Sequence, residues 1–258
     1  MINLMHHDAE ILDQFTKQAG PFLRRHKTAT NDLLLLMTDC AELHPKDRVL
    51  DIACGPGIVS CFFAERVAHV TGLDAVPAML QHAQELQVEK DLSNMDWKLG
   101  DSYSLPFEND SFDCVVTRFS FHHYLAPAKA LAEMKRVCKP GGTVLVSDVA
   151  PRQETQARFN EWEILRDPSH TRALTQAEME AIGEQTGLRL HRRANFRLAT
   201  DLDDLLGSSF PNPGDVDKIR ALFQKEIQSQ TDRLGVSARM EEGVVKLTYP
   251  ITVLAWRK

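Results

Sequence analysis

The chain has 258 residues, with 30 lysines and arginines against 36 aspartates and glutamates and a net charge of −6. Hydrophobic residues make up 43% and charged residues 26%, an ordinary globular balance that excludes wholesale disorder. The longest unbroken apolar run is residues 33–37, five residues, where a membrane-spanning helix needs ~20, so no membrane span is expected. At ~150 residues per domain the length suggests one large domain, or one with an appendage. The first eight residues lack the charged-then-apolar layout of a secretion signal. Cys40, Cys54, Cys61, Cys114 and Cys138 are odd in number and contain no C-x-x-C pair, which argues against a disulfide framework or zinc ribbon and fits a reducing, cytoplasmic setting. The acidic balance disfavours nucleic acid as a partner, and the basic clusters at 24–27 and 189–193 read as solvated surface.

Taken in chain order, residues 2–43 carry a helical pattern, with Ile11, Phe15 and Ala19 and then 33–36 as apolar faces. Residues 48–53 are a short apolar strand, followed by a glycine turn and a helix over 58–67. A second strand at 69–74 leads to a helix over 77–88. Strands are expected at 94–99, 112–117 and 143–148, with a helix over 127–138 that Lys139, Pro140, Gly141 and Gly142 terminate. Strands alternating with helices of this length imply parallel pairing and right-handed crossovers, hence an α/β, doubly wound, Rossmann-like sheet. Beyond Pro151, a helix over 152–167 precedes Thr175-x-x-Glu178, a capping box that opens another helix ending before Gly187. Strands at 188–198 and 246–256 complete a seven-stranded, mostly parallel sheet. The expected division is a helical lid (1–44), a core (45–150) and a remainder of the same domain (151–258). That remainder carries a helical insertion at about 201–240, read as a substrate cap or a surface appendage; insertions at the carboxyl ends of strands overlie the ligand crevice.

The turn Asp51-Ile-Ala53-Cys-Gly55-Pro-Gly57 joins a strand to a helix. Glycine lets backbone approach a ligand closely, and a helix N-terminus offers free N–H groups to an anion. Asp74 ends the second strand 17 residues beyond Gly57, where an acidic residue accepts hydrogen bonds from ribose hydroxyls, or caps the next helix. The third glycine of a dinucleotide fingerprint is Ser60, which counts against a nicotinamide-dependent oxidoreductase.

Asp51-x-x-x-Gly55-x-Gly57, Asp74, Gly100-Asp101-Ser102, Leu105-Pro106-Phe107, Phe112-Asp113 and Arg136-Val137-x-Lys139-Pro140-Gly141-Gly142 occur together in this order. The set resembles the class I S-adenosylmethionine (SAM) methyltransferases, in the branch with the ubiquinone/menaquinone C-methyltransferases, most strongly over 45–150. The resemblance implies SAM as cofactor and a small-molecule acceptor. By position it sets Ala53, Gly55 and Gly57 against the methionine part of SAM, with Asp51 orienting its ammonium group. It sets Asp74 on the ribose and Ala75 and Met79 on the adenine. Asp101 falls on the adenine amine and the Ser102 N–H on a ring nitrogen. Phe15, Gln18 and Phe22 read either as a lid over the cofactor or as the packing face of an amphipathic helix.

Methyl transfer from a sulfonium needs alignment, exclusion of water and, for a protonated acceptor, a base. His122 and His123, just beyond the fourth strand, are the base candidates or else loop supports; an extended pair points two ways, so at most one of the two is expected to be catalytic, His122 by preference. Arg118, ending a buried strand, needs an anion: either Asp148, or a carboxylate or phenolate of SAM or substrate. His170, in the polar run 166–172, reads as an acceptor contact or as part of a turn. Ser120, Asp148 and Arg152 are further rim candidates. No metal site is expected. A SAM-binding protein that regulates or catalyses a different reaction is the remaining alternative, and the chain is expected to be a monomer or homodimer.

Overall fold

The computed structural model describes residues 11–17 and 31–258. Residues 11–17 form helix α1, and α2 (Asn31–Ala41) leads into β1 (Arg48–Ile52), α3 (Ile58–Ala64), β2 (His69–Asp74), α4 (Pro77–Glu89), β3 (Met95–Leu99) and β4 (Phe112–Arg118). A 3₁₀ turn (Phe121–His123), α5 (Pro127–Val137), β5 (Cys138–Val149), α6 (Gln156–Arg166) and α7 (Gln176–Gln185) follow. The chain continues through β6 (Arg189–Asp201), α8 (Leu202–Gly207), α9 (Asp215–Ser229), β7 (Arg239–Glu241) and β8 (Val244–Arg257). Gln18, Phe22 and the basic run 24–27 lie outside the described residues.

The main path of the sheet runs β3-β2-β1-β4-β5-β8-β6, seven strands as expected, and the short β7 adds an eighth against β8. β1 to β5 pair in parallel and β8 is antiparallel to both β5 and β6. Because side chains alternate along a strand, each strand feeds two cores. Val49, Cys114, Val116, Leu145, Val253 and Ala255 pack with α2, α3, α6, α8 and α9. Leu50, Val115, Val144, Val146, Leu254 and Trp256 pack with α5 and α7. Helix α2 is therefore a core helix, with Leu33 and Met37 fully buried, and not part of a lid. The Thr175–Glu178 capping box forms, the Glu178 N–H donating to Thr175 Oγ1 at 3.2 Å and the Thr175 N–H to Glu178 Oε2 at 2.8 Å. Strand β5 starts directly at the end of α5, so Lys139–Gly142 lie within it and not before it.

Chain order leaves the sheet centre in opposite directions from β1 and β4, so the switch point lies between them. Ligand crevices of open α/β sheets sit at the carboxyl ends of strands at this point.

Candidate active site

A cavity of about 440 Å³ opens at the carboxyl ends of β1, β2 and β4, within the ~300–1,000 Å³ usual for small-molecule sites. The turn leaving β1 takes three residues through the left-handed region: Ala53 (φ 51°), Gly55 (φ 54°) and Gly57 (φ 80°). Open space lies where a side chain of Gly55 would project. The Gly55 N–H donates to Asp74 Oδ2 at 2.8 Å and the Val76 N–H to Oδ1 at 2.9 Å, so the Asp74 carboxylate is fixed while each oxygen keeps a lone pair. Burial pushes its pKa up, against the pull of these backbone donors. Gly57 does not line the cavity. A Cβ there would meet Trp97 at 2.7 Å and Ala83 at 2.9 Å, so this glycine serves the packing of α3.

Asp51 is 1% exposed and accepts a 2.5 Å hydrogen bond from Ser60 Oγ. Ser60, the missing third glycine, thus holds Asp51 from the first turn of α3. Burial pushes the Asp51 carboxyl up to about 7, opposed by Ser60 and by the charge of Arg118. Arg118 was expected to pair with Asp148 or with a ligand anion, and the first partner is excluded. Register sets Arg118 beside Ser147, so Asp148 projects from the opposite face. Arg118 is buried in the cavity wall with its guanidinium 4.6 Å from the Phe119 ring centre. It forms no ion pair among the described residues, and burial lowers its pKa to about 10. Ala53, Ala75, Met79, Asp101 and Ser102 also line the cavity. Asp101 Oδ1 accepts from the Tyr103 N–H at 2.9 Å, and Ser102 Oγ accepts from Tyr124 at 3.0 Å.

His122 and His123 both face the cavity. The segment is a 3₁₀ turn rather than extended, which brings the rings to 4.2 Å between centroids and corrects the expectation that they diverge. The His122 Nδ1–H donates to Asp148 Oδ1 at 2.6 Å, leaving Nε2 as the basic nitrogen. Asp148 outweighs the cost of burial and raises the His122 pKa above its ordinary value. His123 donates from Nδ1 to the Ser169 carbonyl at 3.0 Å. Burial and the neighbouring His122 lower its pKa to about 4. His170 lies behind this pair, not in the cavity wall, contrary to the expected acceptor contact. Its ring stacks on His122 at 5.4 Å and its Nε2–H donates to Asn160 Oδ1 at 2.7 Å. The loop that carries it staples the 3₁₀ turn, the Thr171 N–H and hydroxyl both donating to the His122 carbonyl at 2.8 Å. Arg152 is an exposed partner of Asp232, while Ser120 lines the cavity.

The walls also include Ile11, Leu12 and Phe15 of α1, Phe15 packing against Val76 and Met79, together with Leu198, Leu205 and Ile251. The Phe15 ring meets His123 edge-on at 4.9 Å. From the 201–240 insertion α8 contributes Leu205 to the cavity, whereas α9 packs on α6 through Phe223 against Trp162. Glu163, Arg166 and Tyr249 form a buried polar group in the same wall. Glu163 and Tyr249 were missed in the sequence. The one signal there was the i, i+3 spacing of Glu163 and Arg166 on a helix. Among the described residues no cluster of three His, Cys, Asp or Glu side chains is set to hold a metal, and no helix is long and apolar enough to cross a membrane.

Residues 50–146 match the family profile described as a methyltransferase domain. A Bacillus subtilis (strain 168) protein named uncharacterized methyltransferase YcgJ is 35% identical over 170 residues, 65% of this chain and 67% of that one. A demethylmenaquinone methyltransferase of Renibacterium salmoninarum is 37% identical over 113 residues, 44% of this chain and 46% of that one. Over seven further curated relatives the chain spans about half of their length or less. The crystal structure of YcgJ superposes with a TM-score of 0.79 at 26% identity, covering 87% of this chain and 97% of that one. A Bacillus halodurans C-125 structure shares the fold with a TM-score of 0.81 at 23% identity, covering 88% and 99%. An aspartate with spare lone pairs at the end of β2, an open left-handed turn and a buried arginine with no carboxylate partner among the described residues suit a ribose, a close backbone approach and a ligand carboxylate. These features fit SAM, whose methionine end carries the carboxylate that a nicotinamide dinucleotide lacks. The chain belongs to the class I SAM-dependent methyltransferases, with SAM as its cofactor.

Proposed function

We propose that the chain methylates a small hydroxyl-bearing acceptor, aromatic or quinol-like, at carbon or oxygen, with His122 as general base. The observation that carries this reading is the His122–Asp148 pair in the wall of the cavity that also holds Asp51 and Asp74. Bound SAM supplies an electrophilic methyl group on a sulfonium. In this reading Asp74 holds the ribose, and Asp101, the Ser102 N–H, Ala75 and Met79 hold the adenine. Ala53, Gly55 and Asp51 face the methionine ammonium end, and Arg118 its carboxylate. His122 Nε2 takes the acceptor's hydroxyl proton as the acceptor's oxygen or ring carbon bonds to the methyl group and the methyl–sulfur bond breaks, and Asp148 stabilises the imidazolium that forms; after attack through carbon, that carbon loses its proton and the oxygen is reprotonated. His123, its pKa near 4, stays neutral at physiological pH and walls the site. Helix α1 and Leu205 of the cap exclude water.

The acceptor class draws further support from relatives named demethylmenaquinone methyltransferase and ubiquinone/menaquinone biosynthesis C-methyltransferase, the latter from Ruegeria at 35% identity over 113 residues. A cytoplasmic monomer or homodimer completes the reading. The test is release of S-adenosylhomocysteine from SAM in the presence of 1,4-dihydroxynaphthalene and substituted phenols. Acceptor-dependent release is expected, falling ~10²–10⁴-fold in His122→Asn while S-adenosylhomocysteine affinity is kept. Tight binding of S-adenosylhomocysteine with no acceptor-dependent release would point instead to a SAM-binding regulator or another reaction.

A further inference from the structure

The Glu163–Arg166–Tyr249 group is the part of the cavity that the methyl-transfer reading leaves without a task. Its elements hold one another rigidly. Glu163 Oε2 accepts from Arg166 Nε at 2.9 Å and Nη2 at 2.6 Å, and Glu163 Oε1 accepts from the Tyr249 hydroxyl at 2.6 Å. Arg166 Nη1 donates to Ser209 Oγ at 3.0 Å, from the loop after α8. A guanidinium has five N–H donors in a planar fork, and these contacts engage three. Among the described residues the nearest further carboxylate oxygen, Asp167 Oδ2, lies 3.9 Å from Nη1, beyond hydrogen-bond reach. Yet the Arg166 side chain is only 13% exposed, and it lines the cavity.

Charge narrows what those remaining donors suit. The positive charge of Arg166 is already met by Glu163 and, at longer range, by Asp167. A substrate carboxylate here would add a negative charge beside Glu163 and Asp167, which already meet the charge of Arg166. A neutral oxygen takes the N–H groups without that cost. Val149, Leu198, Leu205 and Ile251 add apolar surface to the same cavity, which suits an uncharged body.

We propose, building on the methyl-transfer reading, that the acceptor is an uncharged hydroxy-carbonyl compound whose hydroxyl meets His122 and whose carbonyl oxygen accepts hydrogen bonds from Arg166. Arg166 is then a specificity-determining residue, and Glu163 the carboxylate that makes its guanidinium select a neutral oxygen over an anion.

Three near-isosteric probes separate the possibilities: 4-hydroxyacetophenone, 4-ethylphenol and 4-hydroxybenzoate, each with its 3-substituted isomer. They are titrated calorimetrically into the S-adenosylhomocysteine complex of the wild type, of Arg166→Lys, and of the double variant Glu163→Gln with Arg166→Met. The double exchange removes both charges together, so no buried carboxylate is stranded. Arg166→Lys keeps the charge and loses the fork. In the wild type the ketone should bind ~10–100-fold more tightly than the ethylphenol, the value of a hydrogen bond to a charged group, and more tightly than the benzoate. The preference should shrink in Arg166→Lys and fall within about twofold in the double variant. Equal binding of ketone and ethylphenol, tighter binding of the benzoate, no binding of any probe, or an unchanged preference in a folded variant each overturns the proposal. Failure of the underlying methyl-transfer reading has a different signature: the wild type would not bind S-adenosylhomocysteine, or His122→Asn would leave turnover intact.

Discussion

Replacing Asp148 with asparagine tests the base most directly, because three donors converge on this carboxylate. Oδ1 accepts from His122 Nδ1 and from the Val149 N–H, both at 2.6 Å, and Oδ2 accepts from the Phe121 N–H at 2.7 Å. A carboxamide offers one acceptor oxygen, so either the Phe121 N–H or the His122 and Val149 donors must face an NH₂ group. One stranded buried donor costs about 1–3 kcal/mol; for a chain of this length ~2 kcal/mol lowers the melting temperature by about 4–8 °C. His122 also loses a charge-assisted partner worth about 1.5–3 kcal/mol, which at about 1.4 kcal/mol per unit is one to two pKa units. In the wild type Asp148 holds the His122 pKa above 6.5. The base is the neutral ring, so kcat should rise with pH through that raised value. In Asp148→Asn the rise should come about one to two pH units lower, and the plateau should fall ~10–100-fold for want of a counter-charge to the imidazolium. Asp51, pushed up to about 7, titrates nearby, so the shift between the two proteins isolates His122. The assay is S-adenosylhomocysteine release from pH 5 to 9, with melting followed by calorimetry. An acid limb at the same pH in both proteins, or an unchanged plateau, would refute the role of His122.

The Asp74 assignment predicts that Asp74→Asn weakens S-adenosylhomocysteine binding by about 10–100-fold, the worth of one or two hydrogen bonds to a charged group; an unchanged dissociation constant by calorimetry removes Asp74 from the ribose. The folded pKa of Asp51, about 7 against 3.8 for the free side chain, has a definite sign. Its contribution is fully present below 3.8 and is lost as pH rises through about 7. The urea midpoint of the wild type should therefore fall between pH 5 and 8 more steeply than that of Asp51→Asn, and equal slopes would contradict the burial argument. Gly183 on α7 packs directly on the Trp256 indole of β8. Gly183→Ala should cost ~1–3 kcal/mol through overpacking; an undiminished melting temperature would mean that α7 shifts freely.

Strand β2 spans His69–Asp74, as the run of apolar residues ending in an acid suggested, and the Thr175 cap opens α7 as its spacing required. Such features are local: alternation and capping depend on residues a few positions apart. What escaped the sequence depends on contacts between distant segments. The pairing of Arg118 with Asp148 failed on register, since Ser147 is the residue opposite Arg118. The approach of His122 to His123 depends on a 3₁₀ turn held by Thr171, 49 residues away along the chain. Gly57 keeps its place through Trp97 and Ala83, on β3 and α4, and no spacing within the glycine turn shows this. Glu163 gained its importance from Tyr249, 86 residues on.

Strand β8 lies between β5 and β6 although β6 precedes it in the chain, and among the strands β6 pairs with β8 alone. The antiparallel ribbon of β6 and β8 is thus joined to the rest of the sheet through β5, while β1, β2 and β4 have pairings of their own. Asp51, Asp74 and Arg118 stand on β1, β2 and β4, whereas Leu198, Tyr249 and Ile251 stand on the ribbon. In hydrogen exchange the two sets of amides should open as separate cooperative units. S-adenosylhomocysteine alone should slow exchange chiefly in the central strands, and a second ligand that spans the cavity should slow it in β6 and β8 as well. The pattern of protected amides thus records which of the two molecules has arrived.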